Sequence, residues 1–139
     1  MIAIVGLGAR IVVGALFVVA GVLKLGAGAA FVEEIANYQL ASGLAGLMAI
    51  ALPSVEVLVG VVLAVGPRAW CRAGMLAAAL LLVAFTAAMA SALARGIDLR
   101  CGCFGSESAT VSGWTIARNV GLLALVGAAW FADARRARS

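Results

Sequence analysis

Two cysteines separated by one glycine are the residues of this chain best suited to covalent chemistry. Cys101 and Cys103 flank Gly102. A disulfide between them needs the two Cα atoms within about 7 Å, and Gly102 permits such a tight turn because glycine tolerates a positive φ. We expect the small ring to be strained, and strained, exposed disulfides are the oxidising, exchangeable kind. The spacing therefore predicts a redox-active pair.

The residues around this pair affect the reactivity of its thiols. Arg100 precedes Cys101 and favours its thiolate, the form that attacks and leaves, while Asp98 partly cancels this effect. Two alternatives stay open: a static structural disulfide, or two thiolates that hold a soft metal such as Cu(I). The chain has no His, and Met89 is the only methionine expected near this segment.

The composition of the chain predicts that these cysteines belong to a membrane protein. The 139 residues are 65% hydrophobic and 12% charged, whereas soluble domains are about half apolar and a quarter charged. Four apolar stretches, at about 4–25, 44–66, 71–94 and 113–132, are long enough to cross roughly 30 Å of hydrocarbon. We predict an all-α fold, a four-transmembrane-helix bundle that forms a single domain over residues 1–139.

The first predicted loop carries a short amphipathic pattern. Phe31, Ile35 and Tyr38 recur at helical spacing, and the acidic Glu33 and Glu34 lie on another face. This pattern favours a short helix that lies at the membrane interface. An ordinary polar connector is the alternative.

The distribution of Lys and Arg predicts the orientation in the membrane. The basic residues on the side of the termini and the second loop are Arg10, Arg68, Arg72, Arg135, Arg136 and Arg138. Those on the other side are Lys24, Arg95, Arg100 and Arg118. The bias places both termini in the cytoplasm and the cysteine loop outside an inner (cytoplasmic) membrane, where disulfides persist. Because the net charge of +4 is concentrated at helix ends, we do not expect nucleic-acid binding.

Cys71 lies on the side of the termini. It neighbours Arg72 at the start of the third span, a membrane thickness from the other two cysteines. We therefore predict a small apolar packing residue rather than a resolving thiol.

Several charged and polar residues fall inside the predicted spans. Glu56 lies well within the second span, Arg118 and Asn119 lie within the fourth, and Lys24 ends the first. A lone charge in hydrocarbon costs several kcal/mol, so Glu56 must face the interior. We expect Arg118 to be its partner, whereas Lys24 can snorkel to the surface. The pair either fixes helix register or lines a cavity for a headgroup, a quinone or a proton.

One face of the first span is suited to close helix packing. Arg10, Gly14, Phe17, Gly21 and Lys24 recur at intervals of four and three residues and share that face. Small residues let helix backbones approach closely in lipid. This composition therefore fits tight packing of the helices.

The run Cys101-Gly102-Cys103-Phe104-Gly105, followed by Trp114 and Arg118-Asn119, resembles the MauE family, named for methylamine utilisation and related to DoxX-like four-helix membrane proteins. Supporting matches are Gly21–Lys24, Tyr38, and Leu52–Glu56 with Gly60. The resemblance covers nearly the whole chain. It implies four transmembrane helices and disulfide handling outside the cytoplasm, beside a thioredoxin-like partner.

The resemblance also implies roles for individual residues. They are Cys101 and Cys103 as the redox pair, Gly102, Phe104 and Gly105 as residues that shape the loop, and Lys24, Glu56, Arg118 and Asn119 as buried polar residues. Because the chain has one thiol pair, electrons must pass directly to a quinone or to the thiols of a partner. We predict a membrane thiol–disulfide oxidoreductase or its accessory subunit, able to form a homo-oligomer. A non-enzymatic assembly factor and a soft-metal protein are the alternatives.

Overall fold

The structure, a computed structural model, describes residues 1–40, 42–97 and 112–138. Within these residues the regular elements are all helical, which confirms the predicted all-α class. They are α1 (Ile2–Ala27), α2 (Ala29–Asn37), a 3₁₀ turn (Ser42–Leu44), α3 (Ala45–Val65), α4 (Arg68–Ala94) and α5 (Gly113–Arg138).

Four of the helices are long and apolar enough to cross a bilayer, namely α1, α3, α4 and α5. Large apolar side chains cover their outer surface, for example Ile4 (75% exposed) and Leu80 (70% exposed). Such a surface is stable in lipid, where it faces acyl chains. Helix α5 extends past the predicted end at 132, and its last turn carries Arg135, Arg136 and Arg138. Cations there interact favourably with the C-terminal end of the helix dipole.

The four long helices form a ring in which each contacts two neighbours. Helix α1 packs against α3 and α5, and α4 packs against the same two helices, so α1 and α4 are diagonal, as are α3 and α5. The apolar core along the ring includes Val13, Leu63, Met75, Leu82 and Val126. This order of helices decides which side chains can meet inside the bundle.

The closest approach in the ring is between α1 and α3. A Cβ atom added to Gly14 would lie 2.7 Å from the carbonyl oxygen of Gly60, and one added to Gly60 would lie 2.6 Å from that of Gly14. Phe17 and Gly21 on the same face of α1 are buried as well. The shared face of α1 therefore lies inside the bundle.

The first loop contains the predicted short helix, so the alternative of an ordinary polar connector is wrong. Gly28 joins α1 to α2 with φ +54, a left-handed conformation that glycine adopts readily. Phe31 is 4% exposed, and α2 lies against α3 and the end of α1. The Arg95 guanidinium Nη2 donates to the Tyr38 carbonyl at 2.7 Å. The residues after α2 are thereby tied to the end of α4.

Candidate functional site

A buried ion pair joins α1 to α3. The Lys24 Nζ donates to both carboxylate oxygens of Glu56, at 2.5 Å and 2.7 Å. The two side chains are only 3% and 4% exposed. Gly21, one turn before Lys24, permits this contact, because a Cβ there would lie 2.8 Å from the Pro53 carbonyl oxygen. The close approach of α1 to α3 at Gly21 thus brings the two charges together.

The predicted pairing of Glu56 with Arg118 is wrong. Glu56 is instead paired with Lys24 on α1, the helix that packs closely against α3 at their glycines. Arg118 is half-buried. The expectation that Lys24 snorkels is also wrong, since the side chain points into the bundle beneath Phe31 of α2.

Two aromatic rings complete the surroundings of the ammonium group. The Lys24 Nζ lies 4.6 Å from the centre of the Phe85 ring on α4 and 5.9 Å from that of Phe31 on α2. Desolvated cation–π contacts contribute about 2 kcal/mol or more. Four helices therefore converge on this one cation. Sequence reasoning missed Phe85, because one aromatic residue in an apolar span carries no signal of its own.

A second buried polar contact links α4 to α5 next to Phe85. Asn119 is 4% exposed, and its Nδ2 donates to the Thr86 Oγ1 at 3.4 Å. The Thr86 hydroxyl in turn donates to the Leu82 carbonyl at 2.6 Å. Thr115, one turn before Asn119, is 1% exposed and donates to the Ser112 carbonyl. We call Lys24, Glu56, Thr86 and Asn119 the polar centre.

The depth of the polar centre follows from the helix ends. Thr86 lies eight residues before the end of α4, and Asn119 lies six residues after the start of α5. At 1.5 Å per residue, these positions are about 12 Å and about 9 Å from the helix ends. Residues 98–111 connect those two ends. Thr86 and Asn119 therefore lie in the half of the bundle from which this connection starts and to which it returns, and Glu56 lies near the middle of α3.

The predicted redox pair falls on that connection. The residues concerned, Cys101, Gly102, Cys103, Phe104 and Gly105, lie outside the residues that the structure describes, so their roles stay predictions. Within the described ranges, no group of three His, Cys, Asp or Glu side chains is placed to hold a metal ion.

The remaining cysteine makes polar contacts that the sequence did not indicate. Cys71 is 2% exposed, in agreement with the predicted packing role. Its Sγ also accepts a hydrogen bond from the Arg10 Nη1 at 3.0 Å and donates to the Gly66 carbonyl at 3.2 Å. This contact crosses the diagonal of the ring at the end opposite to the polar centre.

One comparison with known proteins gives a match. A sequence model of the family described as methylamine utilisation protein MauE matches residues 2–132. This range contains α1 to α4 and all of α5 except its last six residues. Neither the curated proteins nor the solved structures contain a match to the chain.

Proposed function

Because the chain belongs to the family of methylamine utilisation protein MauE, we propose that it acts as a thiol–disulfide redox protein in a membrane. Cys101 and Cys103 are the exchanging pair. The observation that carries the proposal is the buried polar centre, whose Thr86 and Asn119 lie in the half of the bundle nearest to the connection that holds both cysteines. Four spans and a family of membrane proteins agree with this setting.

The exchange moves two electrons and two protons between the pair and a partner. One thiolate of the reduced pair attacks a disulfide sulfur of the partner, and the partner's first thiolate leaves. The second cysteine attacks the sulfur of the first, closes the Cys101–Cys103 bond and releases the partner's second thiol. The partner is a thioredoxin-like protein or an exported client, and the reverse order oxidises it. A quinone is the alternative acceptor and leaves as the quinol.

The ion pair supports this chemistry because it can exchange a proton without leaving a net charge in the bilayer. The Lys24 Nζ is within 2.7 Å of both Glu56 oxygens. Transfer of one proton across this contact converts two charged groups into two neutral ones. An isolated charge at this depth costs several kcal/mol. A relay through the pair therefore takes up a proton at one of the two groups as a proton leaves the other, so that the net charge of the pair stays zero.

The proposed orientation places the termini in the cytoplasm. The contacts between Arg10 and Cys71 and between Gly6 and Ala132 bring the start of α1, the start of α4 and the end of α5 to the same end of the bundle. The arginines near these three helix ends therefore lie at one end of the bundle, and the positive-inside rule assigns that end to the cytoplasm. The cysteine connection then faces the oxidising compartment of an inner membrane.

Trapping a mixed disulfide tests the redox assignment. Cys101→Ser and Cys103→Ser are expressed separately in the full chain, and cross-linked partners are identified by mass spectrometry after thiol blocking. We expect one of the two variants to retain a thioredoxin-like protein or an exported client. Cys71→Ser is the matched control and should trap nothing. If neither variant traps a partner and the double variant keeps full biological activity, the redox proposal fails.

The reduction potential of the pair separates the proposal from a static disulfide in an assembly factor. An exchanging pair should have a potential above about −300 mV, whereas structural disulfides lie below it. The measurement equilibrates the purified protein with thiol buffers and counts alkylated Cys101 and Cys103. Stoichiometric anaerobic binding of Cu(I), lost in the double serine variant, would instead indicate soft-metal handling.

A further inference from the structure

A small cavity lies at the arginine-rich end of the bundle, between α1, α4 and α5. Its charged lining consists of Arg10, Arg68, Arg136 and Asp133. Three positive charges and one negative charge give this lining a net charge of +2. Its volume is about 30 Å³, larger than the 10–15 Å³ or so that one water needs. A cavity of this charge attracts an anion.

Arg10 is the residue that most needs an anionic partner. It is half-buried in α1, eight residues after Ile2 and so about 12 Å from the start of the helix. Its Nη1 donates to the thiol of Cys71, which is a weak acceptor. Its Nε is buried and has no hydrogen-bond partner among the described residues. A charge held inside a span in this way is costly unless it is compensated.

Within the described residues, Asp133 is ion-paired with two other arginines and not with Arg10. Its Oδ1 lies 4.0 Å from the Arg68 Nε and its Oδ2 lies 3.9 Å from the Arg72 Nε, so both contacts are at the limit of an ion pair. The two arginine side chains are 65% and 51% exposed, and Arg72 also lies over the Trp130 ring. The carboxylate is therefore shared between two α4 arginines at the rim.

We propose that this cavity binds a phosphate-type oxyanion through Arg10, with Arg68 and Arg136 as the other cationic residues of its lining. Guanidinium groups present planar, paired donors that match phosphate oxygens. The small volume admits phosphate oxygens and leaves the rest of the ligand outside. The phosphate belongs to a soluble anion or to an anionic lipid headgroup, since the mouth lies at a bundle end. This site is separate from the cysteine chemistry.

Titration with inorganic phosphate tests the site. The full chain is held in a neutral detergent at constant ionic strength, and its Tm is followed by tryptophan fluorescence, with chloride as the reference anion. We expect a saturable rise of Tm with phosphate only, since a ligand that binds the folded state stabilises it. Arg10→Gln should remove the rise and Arg10→Lys should restore part of it. Arg138→Gln is the matched control, because it removes one charge outside the cavity lining.

A second variant, Arg68→Gln, tests the site even if Arg10→Gln does not fold, because the Arg68 side chain is exposed. We expect Arg68→Gln to fold as the wild type does and to weaken the apparent phosphate affinity at least three-fold. An equal phosphate response in the wild type, Arg68→Gln and Arg138→Gln would show general charge screening and would overturn the proposal.

Nanodiscs distinguish the two sources of the phosphate. Discs of phosphatidylcholine alone are compared with discs that also contain phosphatidylglycerol. If a lipid headgroup is the ligand, phosphatidylglycerol raises the Tm and abolishes the response to added phosphate. If a soluble anion is the ligand, the response persists in both discs. No response to phosphate or phosphatidylglycerol in the wild type would refute the site.

Discussion

Replacing Lys24 by Met tests how strongly the buried ion pair stabilises the bundle. The substitution keeps an unbranched side chain and removes the ammonium group. It leaves the Glu56 carboxylate, which is 4% exposed, without the ammonium group that donates to both of its oxygens. Breaking a buried pair from one side destabilises by about 3–5 kcal/mol.

The opposite substitution should cost less. Glu56→Leu leaves the ammonium of Lys24 in contact with Phe85 and Phe31. Desolvated cation–π contacts of this kind retain about 2 kcal/mol. Subtracted from the loss of about 3–5 kcal/mol for a broken buried pair, this leaves an expected loss of about 1–3 kcal/mol for Glu56→Leu. The double variant should lie close to the wild type, because replacing both charges by apolar groups is often neutral or stabilising.

The free energy of unfolding is measured for the full chain in mixed micelles by titration with sodium dodecyl sulfate, with helicity as the signal. The four proteins form a double-mutant cycle, which isolates the energy of the pair. Ser54→Ala is the control on α3, because Ser54 is exposed and, among the described residues, its hydroxyl donates to the carbonyl of Ile50 on the same helix. It should stay within about 0.5 kcal/mol of the wild type.

Two outcomes would refute this reasoning. Losses below about 1 kcal/mol for each single variant, with an additive double variant, would mean that the two charges do not form a desolvated pair. A larger loss for Glu56→Leu than for Lys24→Met would mean that the rings of Phe85 and Phe31 do not stabilise the ammonium.

Two further variants test the packing of α1 and the attachment of α2. Gly14→Ala places a methyl group 2.7 Å from the Gly60 carbonyl oxygen, and the forced separation of the helices should cost about 1–3 kcal/mol of unfolding free energy. The control Gly46→Ala, whose methyl group lies in open space, should cost nothing measurable in the same titration. Equal effects of the two variants would contradict the close approach of α1 and α3. Arg95→Gln removes the donor to the Tyr38 carbonyl. Limited proteolysis between α2 and α3 should therefore become faster, while the Tm changes little. An unchanged cleavage rate would show that this hydrogen bond does not hold the segment between the two helices.

The spans, the buried face of α1 and the helix α2 were predictable because each is a property of one segment. Hydropathy and residue spacing determine where an apolar helix begins and which side it buries. Gly14, Gly21 and Lys24 share a face wherever α1 lies in the bundle, and Phe31 marks the apolar side of α2 regardless of its neighbours.

The partner of Glu56 was not predictable in this way. It depends on the order of the helices in the ring, which puts α3 beside α1 and opposite α5. A chain with both Lys24 and Arg118 in the same half of its spans is compatible with either pairing. The contact between Arg10 and Cys71 depends on the same order, because it joins two diagonal helices.

The tight contact between α1 and α3 fixes, on each helix, the number of residues between the close-packed glycines and the charged residue of the ion pair. Gly14, Gly21 and Lys24 follow at intervals of seven and three residues, and Gly60 follows Glu56 after four. One residue inserted between Gly21 and Lys24 would turn the lysine by about 100° around the helix axis and direct its charge towards the acyl chains. Natural variation in chain length should therefore be confined to the connections between helices, and a chain engineered with that insertion should fail to accumulate in membranes.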